Sequence, residues 1–310
     1  MMENHIWVEK YRPKTISETI LPSRLKSQFQ KMVDTGELQN MMFSGSAGLG
    51  KTTIAKAMCN ELGLDYLLIN GSEEGNIDTL RGKIKQFATS VSLSGNKKVV
   101  ILDEADYLNP QSTQPALRGF IEQYSNNCRF ILTCNFKNRI IEPLHSRCGV
   151  YEFNTTKKEL ASMSKDMHSR IKEILTIENV KYDDKIIAEY ILKYLPDWRR
   201  TINEIQRNSL SGELTDVLNK DATEYNSLFG YLKTKDFKNM RKWVVQNMDV
   251  DASVIFRNIY DRIEEQIKPQ SIPPLILILA DYQYKGAFCA DAEINIVACL
   301  TEIMSSVEFK

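Results

Sequence analysis

The chain has few of the residues from which metal centres and disulfide frameworks are built. It carries three histidines in 310 residues, and its six cysteines (Cys59, Cys128, Cys134, Cys148, Cys289 and Cys299) are scattered without a CxxC pair. Structural zinc and a disulfide scaffold both need partners at short, regular spacings, so neither is expected. No cleavable leader is legible, and the cysteines read as reduced thiols in a cytoplasm. The longest strongly apolar run, Leu275 to Ala280, falls far short of the roughly 20 residues that span a bilayer. Net charge is absent too, because 40 basic residues balance 40 acidic ones. No global field draws the chain to nucleic acid, so any such contact must come from a local patch.

What is present is a chain too long for one ordinary core, 43% hydrophobic, with two kinds of patterning. From Met41 to about Phe153 short apolar runs (Met41 to Phe43, Tyr66 to Ile69, Val99 to Leu102, Phe130 to Leu132) alternate with helical stretches (Ile54 to Leu62, Leu80 to Phe87, Ala116 to Ile121). Parallel strands need crossover connections and are buried on both faces, so this alternation predicts a parallel sheet wrapped by helices. Beyond Phe153 apolar residues recur at helical spacing, as in Met163, Met167, Ile171 and Ile174, then Ile187, Tyr190 and Ile191. A further helical stretch runs from about Tyr225 to the end, after a polar segment around 211–223. The predicted organisation is an α/β nucleotide-binding domain over 1–154, a small helical domain over 155–220 and an all-α domain over 221–310.

The chemistry is concentrated at the C-terminal ends of the predicted strands, the edge at which open α/β sheets bind ligands. Gly45 to Thr52 (GSAGLGKT) fits the eight-position P-loop pattern between a strand and a helix. Its backbone amides can wrap a triphosphate, with Gly45, Gly48, Leu49, Gly50 and Thr53 in contact, Lys51 reaching the β and γ phosphates and Thr52 offering its hydroxyl to Mg²⁺. The bland alternative is an ordinary glycine turn. Val99 to Glu104 reads as a buried strand ending in two carboxylates; Asp103 suits a Mg²⁺ partner and Glu104 a general base for the attacking water. The strand ending at Thr133 delivers Asn135, an amide able to orient that water or contact the γ phosphate, although alone it reads equally as a loop cap. Arg147, in Ser146-Arg147-Cys148, reads on composition as a surface arginine.

These residues together resemble the replication factor C family of clamp loaders. Trp7 to Pro13 (WVEKYRP) is similar to that family's N-terminal signature, and Asp103 to Asp106 (DEAD) to its second nucleotide motif. Gln114 to Arg118 with Glu122 resembles its central helix, Ser146 to Cys148 its SRC motif, and Pro196 to Arg200 (PDWRR) its second sensor. The stretches Ile267 to Ile272 and Tyr282 to Gly286 are similar to the phage branch, the large clamp-loader subunits of T-even-type bacteriophages.

The resemblance implies an α/β P-loop NTPase of the AAA+ type with a helical lid and a C-terminal collar. It implies that Val8, Glu9, Lys10, Tyr11, Arg12 and Ile20 line an adenine pocket, that Arg199 reaches the phosphates of ATP from the lid, and that Arg147 is an arginine finger on a neighbour's ATP. Arg81 and Lys85, one helical turn apart, and Ser112 and Thr113 are implied to contact DNA phosphates; without the resemblance, the bland alternative is a solvated basic helix face with Lys83, Lys97 and Lys98 nearby. Gln114 is implied as a relay between DNA and ATP sites. Implied partners are a sliding clamp, primer-template DNA, and a pentamer of four copies plus one different small subunit.

The chain departs from cellular relatives at Ser46-Ala47, where two prolines are common, and at Pro196, where many carry glycine. The DEAD tetrapeptide invites a helicase reading, but no second recombinase-like domain follows residue 154. Other readings are a different AAA+ remodelling ATPase, or a catalytically inert AAA+ scaffold, against which the presence of Lys51, Asp103, Glu104 and Arg147 argues.

Overall fold

The computed structural model describes residues 6–90, 97–215, 217–248, 250–286, 288–289 and 291–310, with side chains of 217–223 left aside. The chain divides into two compact units, residues 1–215 and 216–310.

The first unit begins with the short helix α1 (Trp7–Lys10) and α2 (Ser23–Thr35). There follow β1 (Met41–Ser44), α3 (Lys51–Glu61), β2 (Tyr66–Asn70), α4 (Ile77–Thr89), β3 (Lys98–Asp103), α5 (Thr113–Gln123), β4 (Cys128–Cys134), α6 (Glu142–His145) and β5 (Gly149–Glu152). The strands form one parallel sheet in the order β2-β3-β4-β1-β5. All four strands expected from apolar runs are present, and β5 adds a fifth.

Period-two alternation divides β3 between two cores. Val99 and Ile101 pack with Phe29, Phe43, Ile54 and Met58, whereas Val100 and Leu102 pack with Leu80, Ile84, Leu117 and Phe130 on the opposite face. Each fully buried aliphatic chain of this kind contributes about 1.5–3 kcal/mol. The central strands are therefore fixed from both sides, and their C-terminal ends, where Ser44 is in register with Cys134, form a rigid shelf.

Three helices complete this unit: α7 (Lys157–Ile177), α8 (Asp184–Tyr194) and α9 (Trp198–Arg207). A reciprocal capping box, with Thr156 and Glu159 each bonded to the other's backbone N–H, starts α7 and satisfies two donors that a helix N-terminus leaves open. Met163, Met167, Ile171 and Ile174 are buried, as are Ile187, Tyr190 and Ile191.

Among its described residues the second unit is built of helices: α10 (Val217–Thr234), α11 (Phe237–Gln246), α12 (Ala252–Asp261), α13 (Ile263–Gln266), α14 (Ile272–Gly286) and α15 (Ala292–Ser306). One core joins Leu228, Leu232, Trp243, Ile259, Leu275 and Leu300. The helix α10 starts inside the segment read from sequence as a polar separator. Among the described residues no helix is long and apolar enough to cross a membrane.

Candidate nucleotide site

The loop between β1 and α3 takes backbone conformations that side chains disfavour at Gly45, Gly48 and Gly50. Gly48 has φ +76°, and a Cβ there would stand 1.9 Å from Oδ1 of Asp197, so it is fixed both by conformation and by the close approach of the lid. Gly50, at φ +84°, turns the chain into α3. Asp197 in turn caps α9, its carboxylate accepting the N–H of Arg200 at 2.9 Å.

Lys51, in the first turn of α3, is buried, and its ammonium donates to the carbonyls of Gly45 (2.7 Å) and Ser46 (2.8 Å) and to Oδ1 of Asn135 (2.9 Å). Burial holds its pKa below the ordinary lysine value; the charges of Asp103 and Asp106 pull it back up, and that of Arg199 lowers it. Thr52 donates its hydroxyl to Oδ1 of Asp103 at 2.6 Å, and Thr133 donates to the same oxygen. A hydroxyl and a carboxylate side by side are the hard oxygen donors that Mg²⁺ takes from protein while phosphates and water complete its shell. That chemistry fits Thr52 and Asp103. Among the described residues no group of three or more His, Cys, Asp or Glu forms a metal cage.

Glu104 sits immediately beyond β3 in the left-handed region, φ 55° and ψ 43°. For a non-glycine residue this costs about 1–2 kcal/mol. It is held there by its N–H on the Thr133 hydroxyl (3.1 Å) and by its carbonyl, which accepts from Tyr107 (3.0 Å). Glu104 and Asn135 line one cleft with Ala47 to Thr53, Asp103, Thr133, Cys134 and Arg199, so the expected base, sensor and lid arginine share a space of about 480 Å³ with the P-loop.

A second cleft of about 760 Å³ adjoins it, sharing Gly48, Gly50, Thr53 and Arg199. Val8, Tyr11, Arg12 and Ile20 line it, as do Met167, Ile174 and Trp198 from the helical part. Glu9 and Lys10 do not line either cleft: Glu9 pairs with Arg12, and Lys10 bonds Glu178 at 2.8 Å. Gly45 lines neither cleft, and its carbonyl accepts from Lys51.

Arg147 lines neither cleft. It follows α6 and is bound by Glu122 of α5, through both Nε (2.9 Å) and Nη2 (2.5 Å), with Nη1 on the Pro143 carbonyl. That pairing holds the Glu122 carboxyl below the usual carboxylate range.

Arg81 and Lys85 are exposed on α4, with Asp78 3.9 Å from Arg81. Ser112 is exposed at the start of α5. Two expectations need correction. The Thr113 side chain is buried and donates its hydroxyl to the Gly75 carbonyl (3.1 Å), because it ties α5 to the segment before α4 and does not face solvent. Lys98 is no part of a solvated face: it lies buried in β3 with its ammonium on the carbonyls of Phe87 and Ser90, capping the C-terminal end of α4. Gln114 is wholly buried, donating to the carbonyls of Leu108 and Arg139 and accepting from Ile141.

Sequence reasoning gave no role to Asp106, Thr133, Glu178 or Trp198. Asp106, as the last acid of the DEAD stretch, and Trp198, within Pro196 to Arg200, carried a signal; Thr133 and Glu178 become visible only through contacts with residues distant in sequence.

A parallel sheet with a P-loop, an acidic strand end and a polar strand end converging on one cleft beneath a helical lid defines a P-loop ATPase of the AAA+ class. Residues 41–156 match the ATPase family associated with various cellular activities (AAA), and residues 159–218 match the sliding-clamp-loader large subunit AAA+ ATPase lid domain. The chain is 34% identical to the sliding-clamp-loader large subunit of Escherichia phage RB69 and 33% identical to that of Enterobacteria phage T4, in each case over 99% of this chain and 98% of the relative. It is 38% identical to the replication factor C small subunit of Archaeoglobus fulgidus over 70% of this chain and 68% of that one. Among solved structures, the RuvB Holliday junction branch migration motor of Thermotoga maritima shares the fold at TM-score 0.52 and 22% identity, over 82% of this chain and 79% of that one. The chain belongs to the sliding-clamp-loader family of AAA+ ATPases.

Proposed function

We propose that this chain is the ATP-hydrolysing subunit of a DNA polymerase clamp loader, in which ATP binding opens and holds a sliding clamp around primer-template DNA and DNA-stimulated hydrolysis releases it. The observation that carries the reading is the network in which Lys51, Asn135, Thr52, Asp103 and Thr133 converge beneath the P-loop. Lys51 binds the β and γ phosphates, Glu104 takes the proton of the attacking water, Asn135 orients that water, and Arg199 closes on the phosphates from the lid. Mg²⁺, held by Thr52 and Asp103, neutralises phosphate charge when bound. Val8, Tyr11, Arg12 and Ile20 receive adenine.

Arg147 acts on a neighbour's ATP, and its position outside the chain's own clefts supports that role. Such fingers are worth roughly 10³ to 10⁵ in rate. Four copies join one different small subunit in a pentamer, the second unit serves as its collar, and Arg81, Lys85 and Ser112 meet DNA phosphates. The assembly works in the cytoplasm, that of the host if the chain is phage-encoded.

Steady-state ATPase of this chain with its partner subunit, with and without cognate clamp and primer-template DNA, tests the reading. Strong stimulation requiring both ligands is expected. Turnover indifferent to both would leave an AAA+ ATPase of another target, and the absence of turnover would leave a scaffold.

A further inference from the structure

The segment that walls the larger cleft is fastened to two different parts of the first unit. Residues 7–12 are held by the helical part: the N–H of Trp7 donates to Oε1 of Gln206 (2.9 Å), and Arg170 donates to the carbonyl of Tyr11 (3.2 Å). From Ile16 onward the chain is held by the α/β part, the N–H of Ile16 donating to Glu61 and its side chain buried beside α2 and α3. Pro13, between the two anchorages, lies in the cleft wall.

Glu178, which follows α7, gathers the first anchorage at one atom. Its Oε1 accepts from the Lys10 ammonium at 2.8 Å and from the Tyr11 hydroxyl at 2.5 Å. Two hydrogen bonds from adjacent residues fix both side chains at once, and the Tyr11 ring, pinned at its far end, lines the cleft. Glu178 itself does not line it. The pairing with Lys10, then with Tyr11, holds the Glu178 carboxyl below the usual carboxylate range, so it is ionised at neutral pH and acts as a charge-assisted acceptor.

We propose that Glu178 is a positioning residue of the nucleotide site: by pinning Lys10 and Tyr11 it holds the 7–12 strap against the lid and sets affinity for the nucleotide base without entering the chemistry. This rests on the ATPase reading above. Contact with the base belongs to Tyr11 and its neighbours, and the phosphate groups are handled by Lys51, Thr52 and Asp103, which Glu178 does not touch. Loss of the pin therefore acts on binding and spares turnover.

The test is equilibrium binding of a fluorescent ATP analogue to the full-length chain, with kcat and KM of the assembled ATPase measured in parallel. Glu178→Ala is expected to raise Kd and KM about 5- to 20-fold, the loss of a charge-assisted hydrogen-bond pair, with kcat at saturating ATP within twofold of the original. Glu178→Gln, which keeps one acceptor for the Tyr11 hydroxyl, should fall between. Tyr11→Phe should weaken binding, and adding it to Glu178→Ala should weaken binding by less than the product of the two single effects. Unchanged Kd in Glu178→Ala, or a fall in kcat at unchanged Kd, would overturn the proposal. An unsubstituted chain that binds no nucleotide would overturn the ATPase reading and this inference with it, whereas nucleotide binding with clamp-independent turnover would overturn clamp loading alone.

Discussion

One oxygen of Asp106 accepts the backbone N–H of Asn135 at 3.2 Å and that of Phe136 at 3.1 Å, while its second oxygen is buried without a hydrogen-bond partner. The last acid of the DEAD stretch thus holds the end of β4, and Asn135 passes the constraint to Lys51. Asp106→Ala would leave two amides without an acceptor, at about 1–3 kcal/mol for each one buried. The expected outcome is a lower Tm together with at least tenfold slower hydrolysis at saturating ATP. Asp106→Asn keeps an acceptor of the same shape and should retain most of both. Thermal unfolding beside steady-state ATPase checks the pair, and equal activity of Asp106→Ala and the unsubstituted protein would dissociate Asp106 from the site.

Arg147→Ala should leave ATP affinity of the isolated chain unchanged, because Arg147 lines neither cleft. In the assembled complex the same change should reduce clamp- and DNA-stimulated hydrolysis by roughly 10³ or more, the scale of arginine fingers elsewhere. Full stimulated turnover in the variant complex would remove Arg147 from any active site.

For DNA, the expectation separates exposed from buried residues. Each lost phosphate contact lowers the slope of log affinity against log salt by about 1. Replacing both Arg81 and Lys85 with alanine should therefore flatten the slope by about 2 and weaken binding across sequences alike. Thr113→Ala, whose hydroxyl is spent on Gly75, should leave the slope alone. Binding measured over a salt series checks the slope, and weaker DNA binding by a fully folded Thr113→Ala would return that residue to the interface.

Thiol reactivity should follow burial. Burial pushes Cys59, Cys148 and Cys299 up to about 12, so at pH 8 roughly one in 10⁴ of each is thiolate. Cys289 is exposed. Brief alkylation of the folded protein followed by peptide mapping should label Cys289 first and these three only after unfolding. Early modification of Cys148 would mean that the turn carrying Arg147 opens in solution.

The sheet was largely legible because strands buried on both faces write themselves as unbroken apolar runs, as Val99 to Leu102 does. The strand β5 is only partly buried, with Val150 39% exposed, and leaves no such mark. Local pattern also sufficed for the P-loop and the two carboxylates, since adjacent residues carry them. It failed where a side chain's role is set by a distant partner. Lys98 reads as solvated until its ammonium is seen capping α4, and Glu178 has no signal because its partners lie at the other end of the unit, at Lys10 and Tyr11.

The meeting of Gly48 with Asp197 leaves no room for even a methyl group between the P-loop and the cap of the helix that carries Arg199. Loop and lid consequently cannot come closer at this point, and a side chain at position 48 would hold them apart. Any residue but glycine at position 48 must be answered at position 197, so a chimaera that pairs a relative's α/β domain with this lid needs glycine at that place in its loop.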